Sequence, residues 1–586
     1  MGAEIRTPHI DSLASEGTRF TDFHATAAHS SSHASLLTGC DHHITGLGQP
    51  VETLMDSPAH RGKPGHEGYL TDQVASLPDS LRKDAGYFTA MAGKWNLGLE
   101  SEHFPDKRGF DRSFALLAPA AMHFRWEAGI EPNDEARLPR FAQTNVMPLH
   151  AEDGQYVDLA MDLTPDFYSS DYYVDKLLDY LEHRPKDKPF FAHLSFSAPH
   201  WPLQAPANEI RQYYGCYDEG PKTLRERRLG GLKKLKLVPQ DMKWHPMVAS
   251  EIPKWGSLSP EQRAKSARTM ETYAAMVTRM DYNVGRLLSW LKYRKQYANT
   301  QVIFLSTNGP AGESPNLEPK TGPEVQHYFN KYHQNDLARI GDHASFTWYG
   351  ARWAQASSPY RLYGGFPTEG GTRVPCIIKP ANNIPFVKPL CHSLATIQEI
   401  APTIAEQAGI ALNDANLPPS SFARGQFSPY LRGTTALRDY TPPAFGSELH
   451  GRASLRKGQW KISFLDRPLG TEEWELFDLK SDPSENNDLA RKRPDKLEEL
   501  VKEFMKYRQD VGVVGLAPQL RTGRGGEEMT DPSTWVKFET SRAVAQREHA
   551  KRWRKMENAA QNGDAEADEQ SDDEFQDLDD DAVEMV

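Results

Sequence analysis

Five histidines, His24, His29, His33, His42 and His43, fall between residues 24 and 43. Imidazoles bind metals and move protons near neutral pH, so this density marks a candidate site. If the stretch is helical, the spacing of four between His29 and His33 puts both on one face, which suits Zn2+ or a similar ion. No carboxylate is placed to complete such a site; the competing reading is two histidines filling a partly polar pocket. Ser30, Ser31 and Ser32 offer hydroxyl nucleophiles, but nothing identifies a base aimed at them. Arg225–Lys236 (RERRLGGLKKLK) is basic and reads as a solvated surface segment offsetting nearby acids. Cys40, Cys216, Cys376 and Cys391 lack metal spacing and are too few to staple this chain, so we expect buried, reduced thiols.

Short apolar runs alternate with helical patterns around these residues. Phe190–Phe196, Val302–Leu305 and Val374–Ile378 read as strands buried on both faces. Val174, Leu177, Leu178 and Leu181 follow helical spacing after Ser170, which reads as an N-cap. Ser259-Pro260-Glu261-Gln262 is a capping box opening a helix through Tyr273, Met276, Met280 and Val284. Strands alternating with helices imply an α/β domain with a mainly parallel sheet, residues 1–440. From about Pro442 short strand candidates crowd together: Ala444–Leu449, Trp460–Phe464 and Trp474–Leu479. With a helix from Pro494 to Tyr507, they predict a small α+β domain, residues 441–514, built on an antiparallel sheet.

The formal net charge of −12 lies in the tail. Residues 564–586 hold 12 acids and no Lys or Arg, so the other 68 acids balance 68 bases. The body carries no basic footprint for nucleic acid. Residues 515–586 read as a charged, disordered tail, with a basic helix over 541–557. No apolar run reaches membrane-spanning length, mean hydropathy is −0.66, and MGAEIRTPHIDSLASEG is no secretory leader. We expect a cytoplasmic protein.

His29-Ser30-Ser31-Ser32-His33-Ala34-Ser35-Leu36-Leu37-Thr38-Gly39 resembles the sulfatase signature, C-x-P-x-R followed by a small pair and LLTG. Asp41-His42-His43-Ile44-Thr45-Gly46-Leu47-Gly48 continues as in bacterial-type arylsulfatases. Gly93-Lys94-Trp95-Asn96-Leu97-Gly98, Ser197-Ala198-Pro199-His200-Trp201-Pro202, Phe304-Leu305-Ser306-Thr307-Asn308-Gly309 and Gly370-Gly371-Thr372-Arg373-Val374-Pro375 follow in family order. Trp474-Glu475-Leu476-Phe477-Asp478-Leu479 with Asp482-Pro483 is a family ending. The resemblance spans residues 7–513. It implies an alkaline-phosphatase-like α/β fold, a large mixed sheet flanked by helices, and descent from sulfuric ester hydrolases.

In that family a Cys or Ser becomes formylglycine, whose hydrate attacks sulfur beside a Ca2+ ion held mainly by carboxylates. The resemblance carries those roles onto residues that cannot perform most of them. The nucleophile position is His29, where formylglycine cannot form. The Pro of the signature is Ser31, and the Arg that orients formylglycine is His33. Lys94 matches a sulfate-binding lysine, and His200 a sulfate-facing histidine. The family histidine after Lys94 is Asn96. The metal Asp is Thr307, with its Asn partner kept as Asn308. The last sulfate-binding lysine falls on Gly364. The adjacent metal-binding Asp pair that the family has after its apolar first strand has no counterpart. Lys94, His200 and Asn308 are therefore three survivors of ten expected groups.

Loss of a nucleophile alone costs on the order of 10⁶ in rate in hydrolases. Without the carboxylates the main attraction for Ca2+ is also lost, so we expect neither bound Ca2+ nor turnover by the family route. Five buried strand side chains contribute roughly 1.5–3 kcal/mol each, so we also expect the natural chain to begin upstream of Met1. Three functional readings follow. One is a degenerate arylsulfatase that binds a sulfated or other anionic small molecule, or a protein partner. Another is a working ester hydrolase with a substituted site, or one misrepresented by a defective gene model. The third is a purely structural partner recruited through the acidic tail. No nucleic acid or membrane partner is expected.

Overall fold

A computed structural model describes residues 3–125, 149–157, 163–248, 253–312, 323–382, 389–410 and 444–514, apart from 56, 58, 61 and 165. Its strands are β1 (Thr18–His24), β2 (Phe88–Lys94), β3 (Arg112–Leu116), β4 (His150–Glu152), β5 (Gln155–Val157), β6 (Phe190–Ser195) and β7 (Val302–Leu305). Then come β8 (Arg373–Lys379), β9 (Leu390–Cys391), β10 (Ala395–Thr396), β11 (Phe445–Leu449), β12 (Arg452–Lys457), β13 (Trp460–Phe464) and β14 (Trp474–Asp478). The helices that matter below are α1 (Pro8–Glu16), α2 (His29–Thr38), α3 (Ser169–His183), α4 (Pro221–Lys234), α5 (Pro260–Tyr293) and α6 (Pro494–Val511).

Two mixed five-stranded sheets form the α/β body. One runs β10-β1-β8-β7 with β9 beside β1, the other β5-β4-β3-β2-β6. Tyr173, Leu177 and Leu181 of α3 cover Ala90, Ala92 and Phe114 on one face. Leu288 and Leu291 of α5 pack with Ile10 and Leu13 of α1 beneath Ile377. On the opposite face Ala34 and Leu37 of α2 pack against Met91 and Trp95. Each such buried aliphatic side chain contributes roughly 1.5–3 kcal/mol.

Pattern reading placed Phe190–Phe196 and Val302–Leu305 inside a sheet, yet every residue of β6 and β7 is half-exposed. Among the described residues both are edge strands, each paired along one side. The apolar run of β8 is interior, with Pro375 exposed. Ser170 is not the N-cap of α3: the helix starts at Ser169 after Tyr168, with no side-chain cap. The capping box at Ser259 is formed in both directions, Gln262 N donating to Ser259 Oγ at 3.2 Å and Ser259 N to Gln262 Oε1 at 2.9 Å.

The basic run at Arg225 departs further from its reading as a solvated segment. It lies on α4 with Arg225 and Arg228 buried. Arg225 donates to the carbonyls of Ser358, His245 and Tyr360, and Arg228 pairs with Glu4. Three convergent carbonyls and a carboxylate satisfy the guanidinium donors away from water. Cys40, Cys376 and Cys391 are buried, whereas Cys216 is exposed.

The small antiparallel sheet runs β11-β12-β13-β14, and Leu500 and Phe504 of α6 close its core with Leu455, Ile462 and Leu476. Its β12 is a strand that pattern reading missed. Arg456 of β12 reaches Asp22 of β1 at 2.6 Å, and Lys461 of β13 reaches Glu369 at 2.9 Å. The boundary expected near residue 440, the basic helix over 541–557 and the acidic tail lie outside the described residues. Among those described, no helix is long and apolar enough to cross a membrane.

Candidate active site

The site gathers where β2, α2, β6 and β7 end or begin. Gly93 has φ 115°, and a Cβ there would stand 1.9 Å from the Ser195 carbonyl. Only glycine lets β2 approach β6 this closely, and the next residue is Lys94, 4% exposed at the strand end. Asn96 follows with φ 50°, a left-handed conformation that Asn adopts more readily than most side chains. It is buried.

Helix α2 begins at His29, so His29 and His33 do share a face, their ring centroids 5.4 Å apart. His33 Nδ1 donates to the Trp95 carbonyl at 2.8 Å. Its Nε2 is therefore the acceptor, 2.9 Å from His193 Nε2, which carries the shared proton. His193 on β6 was missed in the sequence, where a lone histidine inside FFAHLSF reads as strand interior. His29 Nδ1 stands 3.1 Å from Thr307 Oγ1, and Thr307 Oγ1 donates to Asn308 Oδ1 at 3.1 Å. The threonine proton is thus used, and His29 Nδ1–H must be the donor to it. That leaves His29 Nε2 with the lone pair, and this atom is buried without a hydrogen-bond partner. A Cβ at Gly364 would lie 3.2 Å from Asn308 Nδ2 and 2.9 Å from the Gly309 carbonyl, so Gly364 abuts the same corner.

His200 Nδ1 donates to the Trp201 carbonyl at 2.8 Å. His123, also missed in the sequence, supports the loop from behind: its Nε2 lies 3.1 Å from the His200 carbonyl and its Nδ1 2.8 Å from Ser169 Oγ. Burial, then the nearby Lys94 ammonium, pushes His200 down to about 3. Burial lowers His193 to about 4 and His29 and His33 well below the usual imidazole range, with Lys94 and His193 respectively adding to it. Burial thus disfavours the charged form of each imidazole, and Lys94 beside His29 and His200 adds to it. Ser31 and Ser32 are buried and engaged with the Leu47 carbonyl and with Thr26.

Family Ca2+ would need this corner to supply oxygens, six to eight of them and mostly charged. The described residues supply an Asn amide oxygen already accepting from Thr307, a Thr hydroxyl and an imidazole. These three donors carry no charge, and by themselves they fall short of what Ca2+ takes.

The sulfatase family model matches residues 1–410. The chain belongs to the sulfatase family. It is 41% identical over 523 residues to an uncharacterised sulfatase of Schizosaccharomyces pombe, covering 88% of this chain and 91% of that one. It is 33% identical over 415 residues to an arylsulfatase of Klebsiella aerogenes, covering 70% and 83%. Among solved structures, Ps i-CgsB in complex with k-i-k-neocarrahexaose is similar with a TM-score of 0.57 at 22% identity, covering 86% of this chain and 88% of that one. BT4656 in complex with its substrate D-glucosamine-2-N,6-O-disulfate gives 0.54 at 19% identity, covering 87% and 94%. Both likenesses place this sulfatase in the alkaline-phosphatase-like fold expected of it.

Proposed function

We propose that this sulfatase-family chain binds a sulfated small molecule in the pocket between Lys94, His29 and His200 and does not cleave sulfate esters by the family route. The observation that carries this reading is the His29–Thr307–Asn308 hydrogen-bond chain. Where the family sets a nucleophile against a calcium carboxylate, an imidazole, a hydroxyl and an amide satisfy one another. A Lys94 ammonium on a partly dry pocket still favours an anion. The unpartnered His29 Nε2 asks for a hydroxyl or N–H donor on the same molecule, because a buried acceptor left unmade costs about 1–3 kcal/mol. A sulfate ester of a polyhydroxy compound offers both groups. The structural neighbours bound to a carrahexaose and to a disulfated glucosamine are consistent with that class.

The test is ligand-dependent melting of the full chain. A sulfated sugar should raise Tm more than inorganic sulfate does, and Lys94→Ala should remove both gains. Nitrophenyl sulfate with added Ca2+ should release no phenol. Turnover that disappears in Lys94→Ala or His200→Ala would replace this reading with that of a working hydrolase.

A further inference from the structure

Away from the pocket, Asp41, His42 and His43 form a turn facing the small sheet. Each offers a donor atom within 4.8 Å of the other two, and they are 6%, 1% and 1% exposed. Their surroundings decide which atoms those are. His42 Nδ1 donates to the Leu47 carbonyl at 3.1 Å, so its lone pair is on Nε2. That Nε2 is buried with no hydrogen-bond partner. His43 Nε2 lies 3.1 Å from Glu448 Oε2, while its Nδ1 lies 2.9 Å from Asp41 Oδ1. Asp41 Oδ2 accepts from the Tyr507 hydroxyl at 2.9 Å, leaving Oδ1 to face the histidines.

We infer that this turn is a divalent-metal site, taking Zn2+ or a similar borderline ion through Asp41 Oδ1, His42 Nε2 and His43 Nδ1. Two imidazoles and one carboxylate suit such an ion better than they suit Ca2+ or Mg2+. A water completes the tetrahedron. The outer neighbours have the form expected of a metal centre: a carbonyl fixes the His42 tautomer, a carboxylate fixes that of His43, and a phenol holds the spare Asp41 oxygen. Charge points the same way. Asp41 and Glu448 both pair with His43 in a buried turn, and a divalent ion that displaces the proton between His43 Nδ1 and Asp41 Oδ1 would balance the two carboxylates. Asp22, His24 and Glu369 show similar spacing, but Arg373, Arg456 and Lys461 already neutralise them. Glu448 lies on β11 and Tyr507 on α6, so the ion would pin the small sheet to the α/β body.

The full chain, stripped with EDTA and titrated with Zn2+, should bind one equivalent and gain Tm. His42→Gln should bind at least tenfold more weakly, and Glu448→Gln, which leaves all three ligands in place, about 10–100-fold more weakly. Circular dichroism in EDTA should give cooperative melts for the wild type and for at least one variant. A folded wild-type chain that takes up no Zn2+ would overturn the inference. So would Zn2+ uptake unchanged in His42→Gln and Glu448→Gln but lost in His33→Gln, which would put the ion beside His193 instead.

Discussion

His29 Nδ1 and Thr307 Oγ1 are 3.1 Å apart, joining the residue that the sequence resemblance sets at the nucleophile position to one that it sets at a calcium-carboxylate position. Reversing one partner therefore does not rebuild the chemistry. His29→Cys leaves Ser31 and His33 where the modification signature has Pro and Arg, and leaves Thr307 where the metal needs a carboxylate. The variant is expected to remain at background in nitrophenyl sulfate hydrolysis, with no aldehyde-derived residue at position 29 by mass spectrometry.

Acid should weaken the fold through the neutral imidazoles. Burial holds His193 at about 4 and His200 at about 3, below the ordinary value near 6.5. The unfolded chain therefore takes up these protons first, and stability falls as pH drops from about 6.5 toward those values. Above that window neither group contributes a change. NMR of the imidazole ring protons should show no titration of either residue between pH 8 and 5.5.

Asp22 gives a second acid limb at lower pH. Burial alone would raise its carboxyl, but the Arg373 and Arg456 guanidiniums hold it well below the usual range. Its contribution is present above about pH 4 and is lost as pH falls through the folded value. Arg456→Met leaves Asp22 and Glu369 with less compensation in a buried setting, at a cost of about 3–5 kcal/mol. Urea unfolding at pH 7 measures it, and the acid limb should flatten in the double variant Asp22→Asn/Arg456→Met.

Arg225 is held by carbonyls of Ser358, His245 and Tyr360 at 2.9, 2.6 and 2.9 Å. Arg225→Ala strips three buried acceptors of their donor and should cost about 3 kcal/mol or more. Lys234→Ala, on the same helix but exposed, should stay within about 0.5 kcal/mol. Equal effects of the two substitutions in denaturant melts would contradict the burial of Arg225.

Ser259→Ala removes the reciprocal cap of α5 and should lower stability by about 1 kcal/mol. The cap is exposed at the end of a 34-residue helix, so the change should speed local amide exchange at Gln262 and Arg263 more than it shifts global Tm.

Sequence patterns reached some of these elements and not others, for physical reasons. The Ser259 box was readable because its partners are three residues apart. Trp460–Phe464 was readable because Trp460, Ile462 and Phe464 alternate with polar residues after a glycine-containing turn. Strand β12 was missed because Arg452 and Arg456 interrupt the apolar pattern; Arg456 is buried against Asp22, more than four hundred residues away in sequence. Arg225 was misread for the same reason, since its three carbonyl partners come from other segments. Motif order pointed to His29, Lys94, His200 and Asn308, but His193 on β6 and His123 after β3 carry no local signal and meet His33 and the His200 carbonyl only in the fold. The half-exposure of β6 and β7 reflects their edge positions, which no local apolar count reveals.

Hydrolysis of nitrophenyl sulfate by the purified full chain, followed for hours with Ca2+ present and enzyme at high concentration, tests the central claim most directly. Phenol release no faster than with the Lys94→Ala variant is expected. Release well above that variant, stoichiometric with sulfate and repeated over many turnovers, would contradict it.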